Sequence, residues 1–309
     1  MRFAQTVCLA AAAGIAATAL TVVGLAAPAQ ARVAEAGHAC LTPKTNEEAA
    51  AARGGASGLD HRGISAAEQL AIARRTDSRL AARGTTSLSG GTTALVARTV
   101  PVYFNVMRSA AGRGDVTNRQ ISRQIAVLNS DYAGTGFSFK LAGIRRYKNN
   151  AWHQDMQSAH YRTVTRRGGA RALNVWLVDF SYLGIATFPW DYANQGAIDG
   201  IRVLWSSLPG GTEKNYNLGE TATHEAGHWF GLYHVFQGGC KESQGGDMVA
   251  DTPAQSTATN GCPENQDSCA GGGLDSIHNY MDYSYDSCYD QFTADQTTRM
   301  DDMWTAYRS

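Results

Sequence analysis

From residue 99 onward the chain changes hydrophobic period several times. Thr99-Val100-Pro101-Val102-Tyr103-Phe104-Asn105-Val106-Met107 alternates β-branched and aromatic residues over the length of a strand. Ile121, Ile125, Leu128 and Tyr132 then share one face of a helix, capped by Asp115 or Thr117 and broken at Gly134-Thr135-Gly136. Phe137 to Leu141 alternates as a second strand, and Leu173 to Phe180 reads as a third, buried on at least one face. Gly184-Ile185-Ala186-Thr187-Phe188-Pro189 ends in a proline, which favours a sheet edge, and Gly200 to Trp205 is a further strand. A helix is expected from near Leu218, with Asn217 as its cap, to about Phe230. Its small residues Ala222, Ala226 and Gly227 allow close approach to neighbouring structure. Residues 238–273 are rich in Gly, Ser, Asn, Asp and Pro, an irregular stretch that needs staples, and a last helix runs from about Ala294 to Tyr307.

The first third of the chain has a different texture. Residues 32–98 hold Ala, Arg, Gly, Ser and Thr with no aromatic residue, too little to build much core. One helix is expected, Ser65 to Ala82, with Ala66, Leu70, Ile72 and Ala73 at helical spacing. Gly84 to Gly91 reads as a linker, which puts a domain boundary near residue 98 and makes residues 32–98 a removable pro-segment and linker ahead of the main domain, 99–309. Further upstream, Arg2 precedes an apolar run from Val7 to Ala27, and Ala29-Gln30-Ala31 offers the small residues a signal peptidase reads. Residues 1–31 are therefore expected to be an export signal cleaved before Arg32, with an uncleaved anchor as the alternative.

Export changes the meaning of the cysteines. Cys8 leaves with the signal, and Cys240, Cys262, Cys269 and Cys288 crowd the irregular stretch, where three pairings are open. Cys40 is left over. A thiolate at Cys40 on a metal would hold a precursor silent, and an unpaired thiol or intermolecular disulfide is the plain alternative. The chain is long enough for a sizeable core, with 43% hydrophobic residues. Its 27 basic and 27 acidic residues cancel, which argues against a nucleic-acid partner or an anionic membrane surface.

Chemistry concentrates at His224-Glu225-Ala226-Gly227-His228-Trp229-Phe230-Gly231-Leu232-Tyr233-His234. On a helix His224 and His228 stand one turn apart on one face, and Glu225 can hold a water on the metal without ligating it. Gly231 permits a left-handed cap that turns the chain back so that His234 becomes a third ligand. Three protein ligands leave a fourth position open, the mark of a catalytic zinc rather than a structural one.

Together with Asn279-Tyr280-Met281-Asp282-Tyr283, this run resembles the metzincin clan of zinc peptidases, and within it the pappalysin family. Supporting segments are Val127 to Tyr132, Ala186 to Trp190, Gly246 to Pro253, and Phe292-Thr293 with Gln296 and Arg299-Met300. The resemblance implies an α+β fold with a five-stranded mixed sheet, an active-site helix and an irregular disulfide-stapled C-terminal subdomain. It implies zinc on His224, His228 and His234, Glu225 as general base, Tyr283 as a transition-state residue and Met281 as the Met-turn methionine. It also implies the pairings Cys240–Cys269 and Cys262–Cys288, and calcium at Asp247, Asp251 and Thr252, whose oxygens could equally be loop acceptors. The expected protein is a secreted, monomeric zinc endopeptidase acting on proteins or peptides, with no nucleic-acid partner and no membrane attachment once the signal is removed. A silent zinc-containing binding module and a non-peptide amidohydrolase are the alternatives. Asp286 and Asp290, just after the Met-turn, are either a pocket wall selecting a basic substrate residue or solvated loop carboxylates.

Overall fold

The computed structural model describes residues 39–43, 64–85, 96–241, 246–271 and 273–309. The expected signal and most of the linker at 84–91 lie outside them. Strand β1 (Ala39–Pro43) and helix α1 (Ala66–Ala82) come first. They are followed by β2 (Arg98–Arg108), α2 (Asn118–Asp131), β3 (Phe137–Lys148), and the short helices α3 (Asn150–His153) and α4 (Ser158–Thr165). Next come β4 (Leu173–Val178), β5 (Tyr182–Thr187), one turn of helix α5 (Tyr192–Gln195) and β6 (Ile201–Leu204). Helices α6 (Glu220–Phe230) and α7 (Ala294–Tyr307) close the series.

The strands form one mixed sheet in the order β1-β5-β6-β4-β2-β3. Five belong to the stretch after residue 98, as expected, and β1 adds a sixth. Strands β2, β3, β4 and β6 are parallel, whereas β5 is antiparallel to both β6 and β1. Strand β4 is buried at all six positions, which is why its sequence runs apolar without alternation. Pro101 is tolerated because the pairing of β2 with β4 begins only at Val102. Strand β5 was expected at an edge. In the structure β1 covers that edge, and Pro189 falls beyond the strand, in a turn.

One face of the sheet packs on α2 and α6, through Val102, Phe104 and Val175 below and Ile121, Leu128, Trp229 and Phe230 above. Thr117, rather than Asp115, caps α2 in a capping box with Gln120, while Asp115 bridges Arg108 and Arg146 at 2.6 and 3.1 Å. A second cluster joins Ile64, Ile72 and Leu80 at α1 to Phe188, Trp190, Tyr233, Met303 and Tyr307. The N-terminal region therefore does add core, although its composition is poor in large apolar residues. Thr76 of α1 also meets the Tyr307 hydroxyl at 3.0 Å.

Among the described residues between Phe230 and Asp286 no helix or sheet strand forms. The staples are Cys240–Cys269 and Cys262–Cys288, closing loops of 29 and 26 residues. Loops of that length lose about 3–4 kcal/mol of unfolded-state freedom for each bridge.

Beneath α6 lies a buried ionic knot. The Arg308 guanidinium donates to both Asp199 oxygens at 3.0 and 3.1 Å and stacks 3.6 Å from the Trp229 ring centroid. Trp229 and Thr187 donate to the same carboxylate, tying the sheet, α6 and the C-terminal helix together. Asp199→Ala leaves a fully buried guanidinium without its counter-charge. It is expected to cost about 3–5 kcal/mol, read as a loss of urea unfolding free energy.

Candidate metal centre

Helix α6 starts where Gly219 adopts φ 113°, with no side-chain cap of its own. Asn217 is not the cap; its amide donates to the Gly211 carbonyl. The acceptor comes from far along the chain instead. The Asp286 carboxylate takes the Leu218 and Gly219 N–H groups at 2.8 and 3.2 Å, and that of Glu220 as well. Asp286 is thus neither an open pocket wall nor a solvated loop acid. Burial pushes its carboxyl up to about 7 against the pull of those three N–H groups. Asp290 is exposed.

The other end of α6 behaves as its glycine implies. Gly231 has φ 103° and its N–H caps on Gly227 and His228. Leu232 N–H also returns to the Gly227 carbonyl at 3.0 Å, which closes the helix and sends the chain back. His234 arrives opposite His224 and His228, with the three Nε2 atoms 3.1, 3.1 and 3.2 Å apart. All three residues are buried. His224 Nδ1–H donates to the Tyr280 carbonyl at 2.6 Å and His228 Nδ1–H to the Leu232 carbonyl at 2.8 Å. Those bonds fix the tautomers, so both Nε2 lone pairs point inward. Burial holds the imidazoles neutral, His224 down to about 4 and His228 well below its ordinary value, the latter also through its neighbour His224. A tetrahedral ion with metal–nitrogen bonds of 2.0–2.1 Å separates its ligands by about 3.3 Å. Neutral nitrogens at this spacing fit such a cation.

Glu225 follows His224 and is fully buried. It lies under β5 at Gly184, where a Cβ would stand 2.4 Å from the Glu225 side chain. Met281 lies beneath α6: a Cβ on Gly227 would come within 2.4 Å of its sulfur. Tyr283 stands edge-on to His234 with ring centroids 4.8 Å apart and lies 5.8 Å from His224. Phe236 stacks on the His234 ring, 4.7 Å away and nearly parallel at 11°, and also meets Tyr283 edge-on at 5.0 Å, so the three rings form one cluster. Phe188 meets His228 edge-on at 5.5 Å. Gly184, Phe236 and Phe188 were not picked out as site residues. A glycine inside an apolar strand, with no turn to require it, was the readable signal for the first of them.

The oxygens considered for calcium serve the loops here. Asp247 accepts the Thr252 hydroxyl at 2.9 Å and the Val249 N–H at 3.0 Å, and Asp251 accepts the Asp295 N–H at the start of α7. Cys40 pairs through its backbone with Ala186 on β5.

A centre built this way, on a helix under a mixed sheet with a methionine below it, defines the chain as a metzincin-type metallopeptidase. The family described as "Pregnancy-associated plasma protein-A", peptidase M43, matches residues 181–305. An "Extracellular metalloprotease" of Sordaria macrospora is 46% identical over 229 residues, covering 72% of this chain and 80% of that one. Mature mirolysin of Tannerella forsythia, solved with a cleaved peptide, is similar with a TM-score of 0.58 and 28% identity, covering 67% of this chain and 91% of its own. A mutant promirolysin of the same organism gives 0.61 and 27%, covering 77% and 89%. The chain belongs to peptidase family M43.

One acidic group at the site has a measurable signature. The Glu220 carboxyl is raised well above its ordinary 4.5, first by burial and then by its hydrogen bond to Asp131. The folded state therefore binds a proton that the unfolded state has released, and stability falls as pH rises from about 4.5 through neutrality. Glu220→Gln keeps a donor toward Asp131 without the titration. Urea unfolding of the metal-free chain is expected to show the variant gaining on wild type between pH 5 and pH 8, with the two close together at the acid end.

Proposed function

We propose that the chain is a secreted zinc-dependent endopeptidase in which Glu225 is the general base. The observation that carries this reading is a buried carboxylate on the residue after His224, in a helix whose imidazoles converge with that of His234, under a strand whose glycine leaves room for it. Zinc held by His224, His228 and His234 would supply Lewis-acid chemistry, polarising a carbonyl and acidifying water. Glu225 accepts the proton of the attacking water on a carboxylate oxygen and passes it to the departing amine. The Tyr283 hydroxyl, on a ring braced against His234, offers a hydrogen bond to the carbonyl oxygen as charge builds there. Met281 fills the floor against Gly227 and keeps the imidazole cluster dry. Secretion is supported by the apolar N-terminal run and by the printed names of the fungal relatives.

Glu225→Gln is expected to bind zinc as wild type does while peptide cleavage falls by about three orders of magnitude or more, the scale of a lost general base plus its electrostatic part. Near-normal turnover removes Glu225 from the role. Zinc retained by wild type with no cleavage of any denatured protein would favour a binding module instead.

Latency follows from the sheet. Strand β1 sits on β5, the strand over Glu225, so a peptide adding to β5 by main-chain hydrogen bonds needs β1 gone. The removable segment in this reading is the one that carries β1 and Cys40, whereas α1, packed into the core, stays with the enzyme. If the Cys40 thiolate holds the metal in the precursor, a purified Cys40→Ala precursor is more active than wild-type precursor. Equal activities would assign the silence to strand pairing alone.

A further inference from the structure

We propose that Asp131 is a positioning residue for the metal ligand His224, acting through two routes that meet on that imidazole. Asp131 is the last residue of α2, and its carboxylate accepts the Thr223 hydroxyl at 2.5 Å. The Tyr280 hydroxyl and the Glu220 carboxyl hydrogen-bond the same group. Thr223 immediately precedes His224 on α6. Tyr280 supplies the carbonyl that accepts His224 Nδ1–H at 2.6 Å. Covalent and hydrogen-bonded links therefore close a ring through Asp131, Thr223, His224 and Tyr280.

The ring matters because His224 and Tyr280 lie 56 residues apart, on elements with no local reason to keep their spacing. A carboxylate that grips both sides of the contact sets that spacing. The Tyr280 ring transmits it stiffly, being wedged against Phe292 at 4.8 Å and Tyr289 at 5.8 Å. Tyr132, the next residue after Asp131, adds a hydroxyl to the Thr223 carbonyl at 3.0 Å and pins the same turn. His228 needs no such device, since its acceptor Leu232 belongs to the cap of its own helix. Partners that orient a metal-ligating histidine typically govern about 10–100-fold of metal affinity.

The inference rests on the zinc reading of the three histidines, and its test separates the two. Zinc dissociation constants are measured on the full chain by chelator competition, together with metal-free unfolding midpoints. Tyr280→Phe, which keeps the ring and removes the hydroxyl, and Asp131→Asn are each expected to weaken zinc about 10-fold. The double variant is expected to lose no more than the weaker-binding single, because both break one path. Asn129→Ala is the reference. It severs the bonds of α2 to Phe139 at 2.8 and 2.9 Å without touching the ring, and should lower the midpoint while leaving zinc affinity unchanged. Wild-type affinity in both single variants, losses that add in the double, or an equal loss in Asn129→Ala would each overturn the role of Asp131. A wild-type chain that fails to bind zinc would instead overturn the metal reading.

Discussion

Three imidazole nitrogens held 3.1–3.2 Å apart in a buried pocket constitute an unfavourable arrangement on their own. With the Nδ1 protons of His224 and His228 committed to carbonyls, their Nε2 lone pairs face each other with no hydrogen between them. Only a cation turns that repulsion into attraction. The fold must keep the cluster together through other contacts, and much of the structure near α6 serves this end. The left-handed turn at Gly231 returns the chain, Leu232 orients His228, the segment at Tyr280 orients His224, and the adjoining rings of Phe236 and Tyr283 pack against His234.

The same requirement explains the close approaches. Gly227 and Gly184 mark two places where α6 meets its surroundings with no room for a side chain, the first over Met281 and the second beneath β5. Together they sandwich the helix between the floor and the covering strand, which sets how far Glu225 stands from the metal pocket. Core packing alone would tolerate an alanine by shifting the helix. A shift of that kind would move His224, His228 and Glu225 together, away from His234, which is anchored on another segment.

What the sequence carried, and what it withheld, follows the range of the interactions. The convergence of His224, His228 and His234, with Glu225 next in sequence, and the turn at Gly231 were readable because helix period and a glycine cap are local facts, fixed within a few residues. Alternation gave the strands of the peptidase part, and the resemblance to metzincins supplied their number. The cap of α6 was misread as Asn217 because the true acceptor, Asp286, follows it by more than sixty residues and reaches it only through the tertiary fold. Strand β5 is the edge of the five strands after residue 98, as expected, but the strand that covers it, β1, was not foreseen because it comes from a segment in which only one helix was expected. The contribution of α1 was underrated because it inserts only Ile72 and Leu80, with Ile64 just before it, few residues but each buried among larger side chains from elsewhere.

The charges around α6 are also ordered along its axis. Asp286, Glu220 and Asp131 gather at its start, where unsatisfied N–H groups and the positive end of the helix dipole favour negative charge. His228 occupies the last turn, so a bound cation stands near the negative end. Both placements lower the energy of the helix, yet neither is free, since burial raises all three carboxyls and Asp131 raises those of Glu220 and Asp286 further, which favours a shared proton over full ionisation. A proton retained among the acids at one end and a cation taken up at the other are therefore complementary. The first limits negative charge where it would be excessive, and the second supplies positive charge where neutral imidazoles have left the helix terminus without it.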